Sequence, residues 1–521
     1  MVTARYVLTV VTVALGASTQ FYTYGVINPS QELLEEWINR TYYHRNGYGM
    51  SSMTLSVYWS FVVSSVAIGA FVGSLLTRRL AETCGRRNGL IANGIVNVFG
   101  ALFEGIAKGT KSPELLILGR FILGANMGLT SGLVPMYLME ITPVRYRGAA
   151  GTVHQVAVAF SDWFSLLLGL PAVLGGEHLW PLAVAFPGLP ALLLCIILPL
   201  CPESPRYTLI SLGKRQEAYK AVRALVGEKH AKATFDSLIK EAALTPENAN
   251  TSVSDLFRRK SLRTPLLISV GVMIAQQFTG CTAVFAYSTD MFIKAKLSKE
   301  TARWSTLGIG IAYFLCACPS PYLIERLGRR FLSLFQLTGC LIALIMLSVF
   351  TWLQNDFGQE WASYGSIFAL VAYMCVYGVG SPIPWLITGE LFSQEYRSAA
   401  VTMSTFVAWF WAFVISTSYL PFQQLVGVSF SYLPFIIGLV LSIIFMAFLL
   451  PETKNKSIEE IVNEFRSRSR TISRNFVVRR HLNTTTQPEL TRLMEESDEE
   501  TNGYGAAESA PTNRPSVTQD D

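Results

Sequence analysis

Hydrophobic residues in this chain do not alternate with polar ones at strand spacing. They come in long runs, separated by short segments rich in charge, glycine and proline. A run of about 20 apolar residues is the length of a helix that crosses a bilayer core, and more than a soluble core helix needs. Twelve runs can be read. They start near Arg5, Met53, Asn88, Pro113, Gly151 and Leu179, then near Thr264, Thr301, Phe331, Ser363, Ala399 and Ser431. The pattern predicts an all-α membrane protein. The first run begins like a secretory signal, with Arg5, an apolar stretch and Leu15-Gly16-Ala17. It continues through Phe21 to Ile27, however, which is the length of a full span, so a retained first helix is expected.

Two polar segments divide the chain into four parts: 1–201 with six runs, a linker at 202–263, 264–451 with six more, and a tail at 452–521. Within the linker, 213–226 has apolar residues at helical spacing and predicts an amphipathic helix. The tail is rich in Ser, Thr and charge, and is expected to be disordered beyond about residue 466.

The two six-run parts resemble each other. Glu140-Ile-Thr-Pro-Val-Arg-Tyr-Arg147-Gly-Ala-Ala matches Glu390-Leu-Phe-Ser-Gln-Glu-Tyr-Arg397-Ser-Ala-Ala. Gly85-Arg86-Arg87 recurs as Gly328-Arg329-Arg330, and Pro202-Glu203 as Pro451-Glu452. Three motifs in the same order, at offsets of 243 to 250 residues, predict two homologous six-helix halves. Transporters are built in this way, with the solute site between the repeats near the bilayer midplane. The repeated charges lie at helix ends. They fit simple retention of arginine on one side of the membrane. The sharper expectation is a gate of ion pairs between the halves, drawn from Arg86, Glu140, Arg147, Glu203, Arg206, Glu325, Arg329, Glu390 and Arg397.

Composition agrees with this class. Only 15% of the residues are charged, against roughly 25% in soluble proteins. The net charge of +6 is modest, and the basic residues cluster between apolar runs, as topology signals rather than a nucleic-acid footprint. Arg78, Arg79, Arg86 and Arg87 after the second run, and Arg326, Arg329 and Arg330 after the eighth, place both termini and the linker in the cytosol. Lys294, Lys299 and Arg303 are among those that fall on the other side. Asn39-Arg40-Thr41, a glycosylation sequon, falls in the first outer loop, where it can be used. The eight cysteines lie in apolar runs or cytosolic loops, so no disulfide framework is expected. Cys316-x-Cys318 lacks further ligands, so neither a metal nor another cofactor is expected.

The chain resembles the facilitative glucose transporters, the animal sugar-porter branch of the major facilitator superfamily. The resemblance covers about residues 20–460. It is carried by Gly119-Arg120-Phe121, Pro135-Met136-Tyr137, Pro202-Glu203-Ser204-Pro205-Arg206, Gln276-Gln277-Phe278-Thr279-Gly280, Glu325-Arg326-Leu327-Gly328-Arg329-Arg330, Pro382-Ile383-Pro384-Trp385 and Pro451-Glu452-Thr453-Lys454, in that order. It implies the major facilitator fold, with twelve transmembrane helices in two six-helix halves, and facilitative uniport of a hexose or related polar solute. The sole partners expected are a sugar or polyol and the lipid bilayer, the latter that of the plasma membrane; the oligomeric state stays open.

The resemblance also implies which side chains face the sugar: Gln155, Gln276, Gln277, Trp385 and Trp409. Amides donate to and accept from hydroxyls, and aromatic faces pack on sugar C–H surfaces. The chain departs from the family at several contacts. Thr282, Tyr313, Tyr377 and Ala408 stand where amide or acidic residues are usual, and Ala286 replaces a tyrosine. A site selects the hydroxyls it is built to bond, so the expected substrate shifts from D-glucose towards fructose, a polyol or a less polar solute. Thr23 stands where proton-coupled relatives carry an acid, which favours uniport. Asp162, in the middle of the fifth run, keeps proton-coupled symport open, since an intramembrane acid is a functional candidate. A non-transporting sugar sensor of the same fold is the other alternative. No nucleophile elbow, metal cluster or phosphate-binding loop points to an enzyme or an ATP-driven pump.

Overall fold

The computed structural model describes residues 3–17, 21–143, 147–243, 253–392, 394–454, 456 and 460, excepting the side chains of 147–152, 241–243, 253, 255, 260–261 and 394–395. The tail expected to be disordered lies outside the described residues apart from Lys456 and Glu460.

The apolar runs form helical rods α1–α12. α1 is Ala4–Ala17, resuming as Tyr22–Gly25, and α2 is Ser52–Cys84. α3 is Arg86–Ile106, α4 is Pro113–Ile141, α5 is Arg147–Leu168 and α6 is Trp180–Leu200. α7 is Lys260–Phe278 followed by Cys281–Lys294; α8 is Lys299–Ala317 followed, after a 47° bend, by Ser320–Leu327. α9 is Arg329–Phe357, α10 is Glu360–Gly380 followed by Ile383–Leu391, α11 is Gln394–Val426 and α12 is Leu433–Leu449. Eight of these rods are long and apolar enough to cross a membrane as they stand, and the bent α8 is a ninth. The break in α10 falls at Gly380, Ser381 and Pro382, where glycine and proline predict it. The break in α7 at Thr279-Gly280 was not expected; Gly280 sits at φ +80°, a conformation other residues seldom adopt.

Small residues set the tightest packing. Gly69 and Gly73 of α2 face Gly124 and Gly128 of α4 so closely that a methyl group on Gly128 would lie 1.9 Å from the Ala70 carbonyl oxygen. Backbones approach this closely only where both faces lack side chains. α2 packs on α4 in its own half and on α11 in the other; α8 packs on α10 in its own half and on α5 in the other. The arrangement repeats between the halves, as the sequence repeat requires.

The linker contributes helices Arg215–Val226, Glu228–Ala243 and Val253–Arg258. The first presents Ala218, Val222, Leu225 and Val226 to a core shared with Val13 of α1, Leu133, Tyr137 and Ile141 of α4, and Leu194 and Leu198 of α6. The linker and its adjoining rod ends define one face of the molecule, the linker face. On the far face a helix not anticipated from the sequence, Gln31–Asn46, buries Gln31, Leu34, Ile38 and Thr41. Asn39 lies on it, partly buried, with its Oδ1 accepting from the Met50 N–H at 2.9 Å.

Candidate functional site

Gln276 and Gln277 occupy the last turn of α7 before its break, and both are buried. Gln276 Nε2 donates to Tyr377 Oη at 2.8 Å, and Gln336 Nε2 of α9 donates to Gln276 Oε1 at 3.0 Å. Thr282, just past the break, donates its hydroxyl to Gln277 Oε1 at 2.9 Å. Around this amide set stands an aromatic wall. Tyr377 lies 5.8 Å from Tyr313, 5.7 Å from Phe285 and 5.9 Å from Tyr373, centre to centre. Phe285 in turn packs on Tyr313 at 5.3 Å and on Phe21 of α1 at 4.8 Å, which carries the wall into the first half. Five expected site residues therefore meet: Gln276, Gln277, Thr282, Tyr313 and Tyr377. Gln336, Phe285 and Phe21 join them unanticipated; the one trace of Gln336 in the sequence is a lone amide in the apolar run of α9.

Trp385, on the second segment of α10, and Trp409 of α11 form a separate pair at 6.1 Å. The Trp409 indole N–H is buried without a hydrogen-bond partner among the described residues. Gln155 is partly buried on α5. No hydrogen bond or ring contact among the described residues joins Gln155 or the tryptophan pair to the α7 cluster. Asp162 of α5 is 0% exposed, lies against Gly25 of α1, and has no hydrogen-bond partner among the described residues for either carboxylate oxygen. On α4, Arg120 is also fully buried and donates to the backbone carbonyls of Val62 and Thr23, at 2.9 Å each.

The repeated charges build the same frame twice on the linker face. Gly85 at φ +88° and Gly328 at φ +89° turn the chain into α3 and α9. In the first half, Glu203 accepts from the backbone N–H groups of Arg86 at 3.1 Å and Arg87 at 2.9 Å. In the second, Glu452 accepts from those of Arg329 at 2.9 Å and Arg330 at 3.0 Å. A carboxylate at a helix N-terminus meets both unpaired N–H groups and the positive end of the helix dipole. Arg86 then pairs with Glu140 at 2.9 Å, and Arg329 with Glu390 at 2.8 Å. Ser204 and Thr453 donate to those same two glutamates. Each of these two pairs joins helices of one half and does not bridge the halves. The glycine turn aims the arginine at its own neighbouring helix, and the repeat copies that geometry. Of the remaining charges, Arg206 and Arg397 are partly buried, Glu325 is exposed at the end of α8, and the Arg147 side chain lies outside the described residues.

On the far face, polar side chains join the halves. Asn28 is 1% exposed; its Nδ2 donates to the Phe285 carbonyl and to Ser288 Oγ, both at 2.8 Å, and its Oδ1 accepts from the Thr289 N–H at 3.0 Å. The Asn28 amide thus bridges two groups, Phe285 C=O and Thr289 N–H, that an uninterrupted helix pairs with each other. Glu32 meets Lys299 at 3.1 Å and Arg303 at 3.8 Å, and Arg303 Nε donates to the Pro29 carbonyl at 3.1 Å. Glu35, on the far-face helix, is partly buried; that burial pushes its carboxyl up to about 7, against a hydrogen bond from Gln31 that pulls it down.

A family model described as "Sugar (and other) transporter" matches residues 9–465. Facilitated glucose transporter member 1 of solute carrier family 2 from Gallus gallus is 35% identical to the chain, over 89% of it and 94% of the relative. Member 4 from Mus musculus is 36% identical, over 89% and 91%. Among solved structures, the partially occluded inward-open xylose transporter XylE from E. coli superposes with a TM-score of 0.71 at 20% identity, covering 87% of this chain and 100% of XylE. That likeness shows the major facilitator fold.

Proposed function

The chain belongs to the sugar (and other) transporter family, and from that premise we propose that it carries a hexose or related small polar solute across a membrane by facilitative uniport. The linker and termini face the cytosol and the far face is the outer one, which agrees with the clustering of arginine at the linker-face turns. The plasma membrane is the location that fits an outer sequon at Asn39. The solute binds between the α7 amide cluster and the Trp385–Trp409 pair, with Gln155 contributing from the first half.

The observation that carries this reading is the pairing of contacts by half. Each half keeps its own charge frame on the linker face, while Asn28 and Glu32 join the halves on the outer face. Such halves can rock as units about a central site. In the described arrangement the outer side is latched. Release of Asn28 from α7 opens the outer side, and the frames keep each half rigid as it moves.

Uniport is favoured by Arg120, which donates to the Thr23 backbone where a coupling acid would stand. A second reading, proton-coupled symport, rests on Asp162, a fully buried carboxylate without a hydrogen-bond partner among the described residues. The test is uptake of labelled glucose, fructose and a polyol into proteoliposomes, with and without an inward proton gradient. Saturable uptake that stops at equilibrium supports uniport. Accumulation above equilibrium that needs the gradient, and that Asp162→Asn abolishes, establishes symport. Folded protein without flux of any of them replaces both readings with a sensor.

A further inference from the structure

On the linker face, the start of α1 and the first linker helix border an open surface cavity of about 480 Å³ lined by Thr3, Ala4, Arg5, Lys220, Arg223 and Ala224. The chain is pinned there: the Thr3 N–H donates to the Leu225 carbonyl at 3.1 Å, and its hydroxyl donates to the Ala224 carbonyl at 2.6 Å. Three cations border the space. Arg223 has an acidic neighbour, Glu228, at 2.9 Å. Arg5 and Lys220 are exposed, and neither has a side-chain hydrogen bond or ion pair among the described residues. The cavity therefore carries an excess of positive charge held by a fixed backbone.

Its position says what it takes. Along α1 from Arg5, Leu8, Val11 and Leu15 follow at three- and four-residue spacing, and they are 43%, 47% and 54% exposed. In a membrane-spanning rod, such an apolar stripe faces acyl chains. One helical face thus runs from lipid-facing leucine and valine directly into a cationic cavity, at the depth where headgroups sit.

We propose that this cavity is a binding site for an anionic phospholipid. The headgroup phosphate lies among Arg5, Lys220 and Arg223, and the acyl chains lie along Leu8, Val11 and Leu15. Continuity of the charged cavity with the apolar stripe selects a lipid over a free anion, since a soluble phosphate has no use for the stripe. Occupancy ties the linker helix to α1 and so to the first half.

The test uses the full chain in neutral detergent and reads the apparent affinity for short-chain phosphatidylserine from the rise in unfolding temperature. Basic residues at a membrane surface each contribute about five-fold to anionic-lipid affinity. The variant Arg5→Gln/Lys220→Gln/Arg223→Gln is therefore expected to bind on the order of 100-fold more weakly. The control Arg215→Gln/Lys229→Gln/Lys232→Gln, which removes the same charge from exposed linker positions outside the cavity, is expected to bind like the parent chain. Should the triple variant fail to fold, Lys220→Gln alone is expected to weaken binding about five-fold. Equal losses in control and cavity variants overturn the site, because bulk charge then accounts for the effect. Equal stabilisation by phosphatidylcholine overturns the role of charge, and equal stabilisation by inorganic phosphate overturns the lipid. Flux is not the readout, so this outcome is independent of the transport reading.

Discussion

Replacing Asn28, which follows α1, with alanine removes a side chain that holds α7 by its backbone. Three hydrogen bonds are lost, to Phe285 O, Ser288 Oγ and Thr289 N. A buried neutral hydrogen bond contributes about 0.5–1.5 kcal/mol net. Two of the three freed groups, Phe285 C=O and Thr289 N–H, are four residues apart and can pair with each other, which returns part of the loss. The latch should therefore weaken by about 1–3 kcal/mol, which multiplies the outward-open to outward-closed ratio by about 5 to 150. Spin labels at Met53 on α2 and Leu425 on α11, which are 40% and 74% exposed, report the separation of the halves at the outer face. The exposed Cys84 and Cys318 are replaced by serine first. Asn28→Ala should move the distance distribution towards longer separations, and Ser288→Ala, which removes a single bond, should move it less. An unchanged distribution in folded Asn28→Ala protein would refute the latch.

Three further outcomes follow from the geometry. Gly128→Ala places a methyl group 1.9 Å from the Ala70 carbonyl oxygen; forcing α2 and α4 apart costs at least about 1–3 kcal/mol and lowers the unfolding temperature. Gly308→Ala, with nothing within 4 Å of the new methyl, should be neutral or slightly stabilising. Tyr377→Phe removes the acceptor of Gln276 Nε2 and frees that amide for a sugar hydroxyl; competition uptake among glucose, fructose and a polyol should change rank by about 2- to 10-fold in relative KM, and an unaltered ranking would place the amide away from the solute. The packed Glu35 carboxyl has its pKa raised to about 7 from 4.5. Its charging therefore weakens the closed outer face by up to about 3 kcal/mol as pH rises through that window, and protonation restores it as pH falls. Uptake should accordingly decline as outer pH drops below about 7, and Glu35→Gln should flatten the profile; a profile unaffected by Glu35→Gln removes the carboxyl from the gate.

Legibility in the sequence followed the range of the physics. Span positions and the break in α10 are local or one-dimensional features, legible in apolar runs, glycine and proline. The two frames were legible as a pattern but not as a pairing. Arg86 and Glu140 are 54 residues apart, and nothing in the order of residues says whether Arg86 meets Glu140 or the matching Glu390. The repeated motifs suggest each other as partners, whereas Arg86–Glu140 and Arg329–Glu390 each close within one half. The outer helix Gln31–Asn46 had its signal in Gln31, Leu34, Ile38 and Thr41 at helical spacing, masked by a polar composition that reads as loop. Lys299 and Arg303, which fell on the wrong side for a topology rule based on arginine and lysine, are held there by Glu32; local neutralisation by an acid on the other half outweighs the rule. The site is the hardest case. Gln276 and Gln277 were found because amides are rare and costly in apolar helices. That Gln276 spends its amide on Tyr377 and Gln336 depends on three helices meeting. The substitution that looked like the loss of a sugar contact at Tyr377 is also the gain of an internal partner for Gln276. On the proposed reading of the site, selectivity would depend on how readily the solute displaces a tyrosine from a glutamine, a competition within the second half that the first half enters through Phe21.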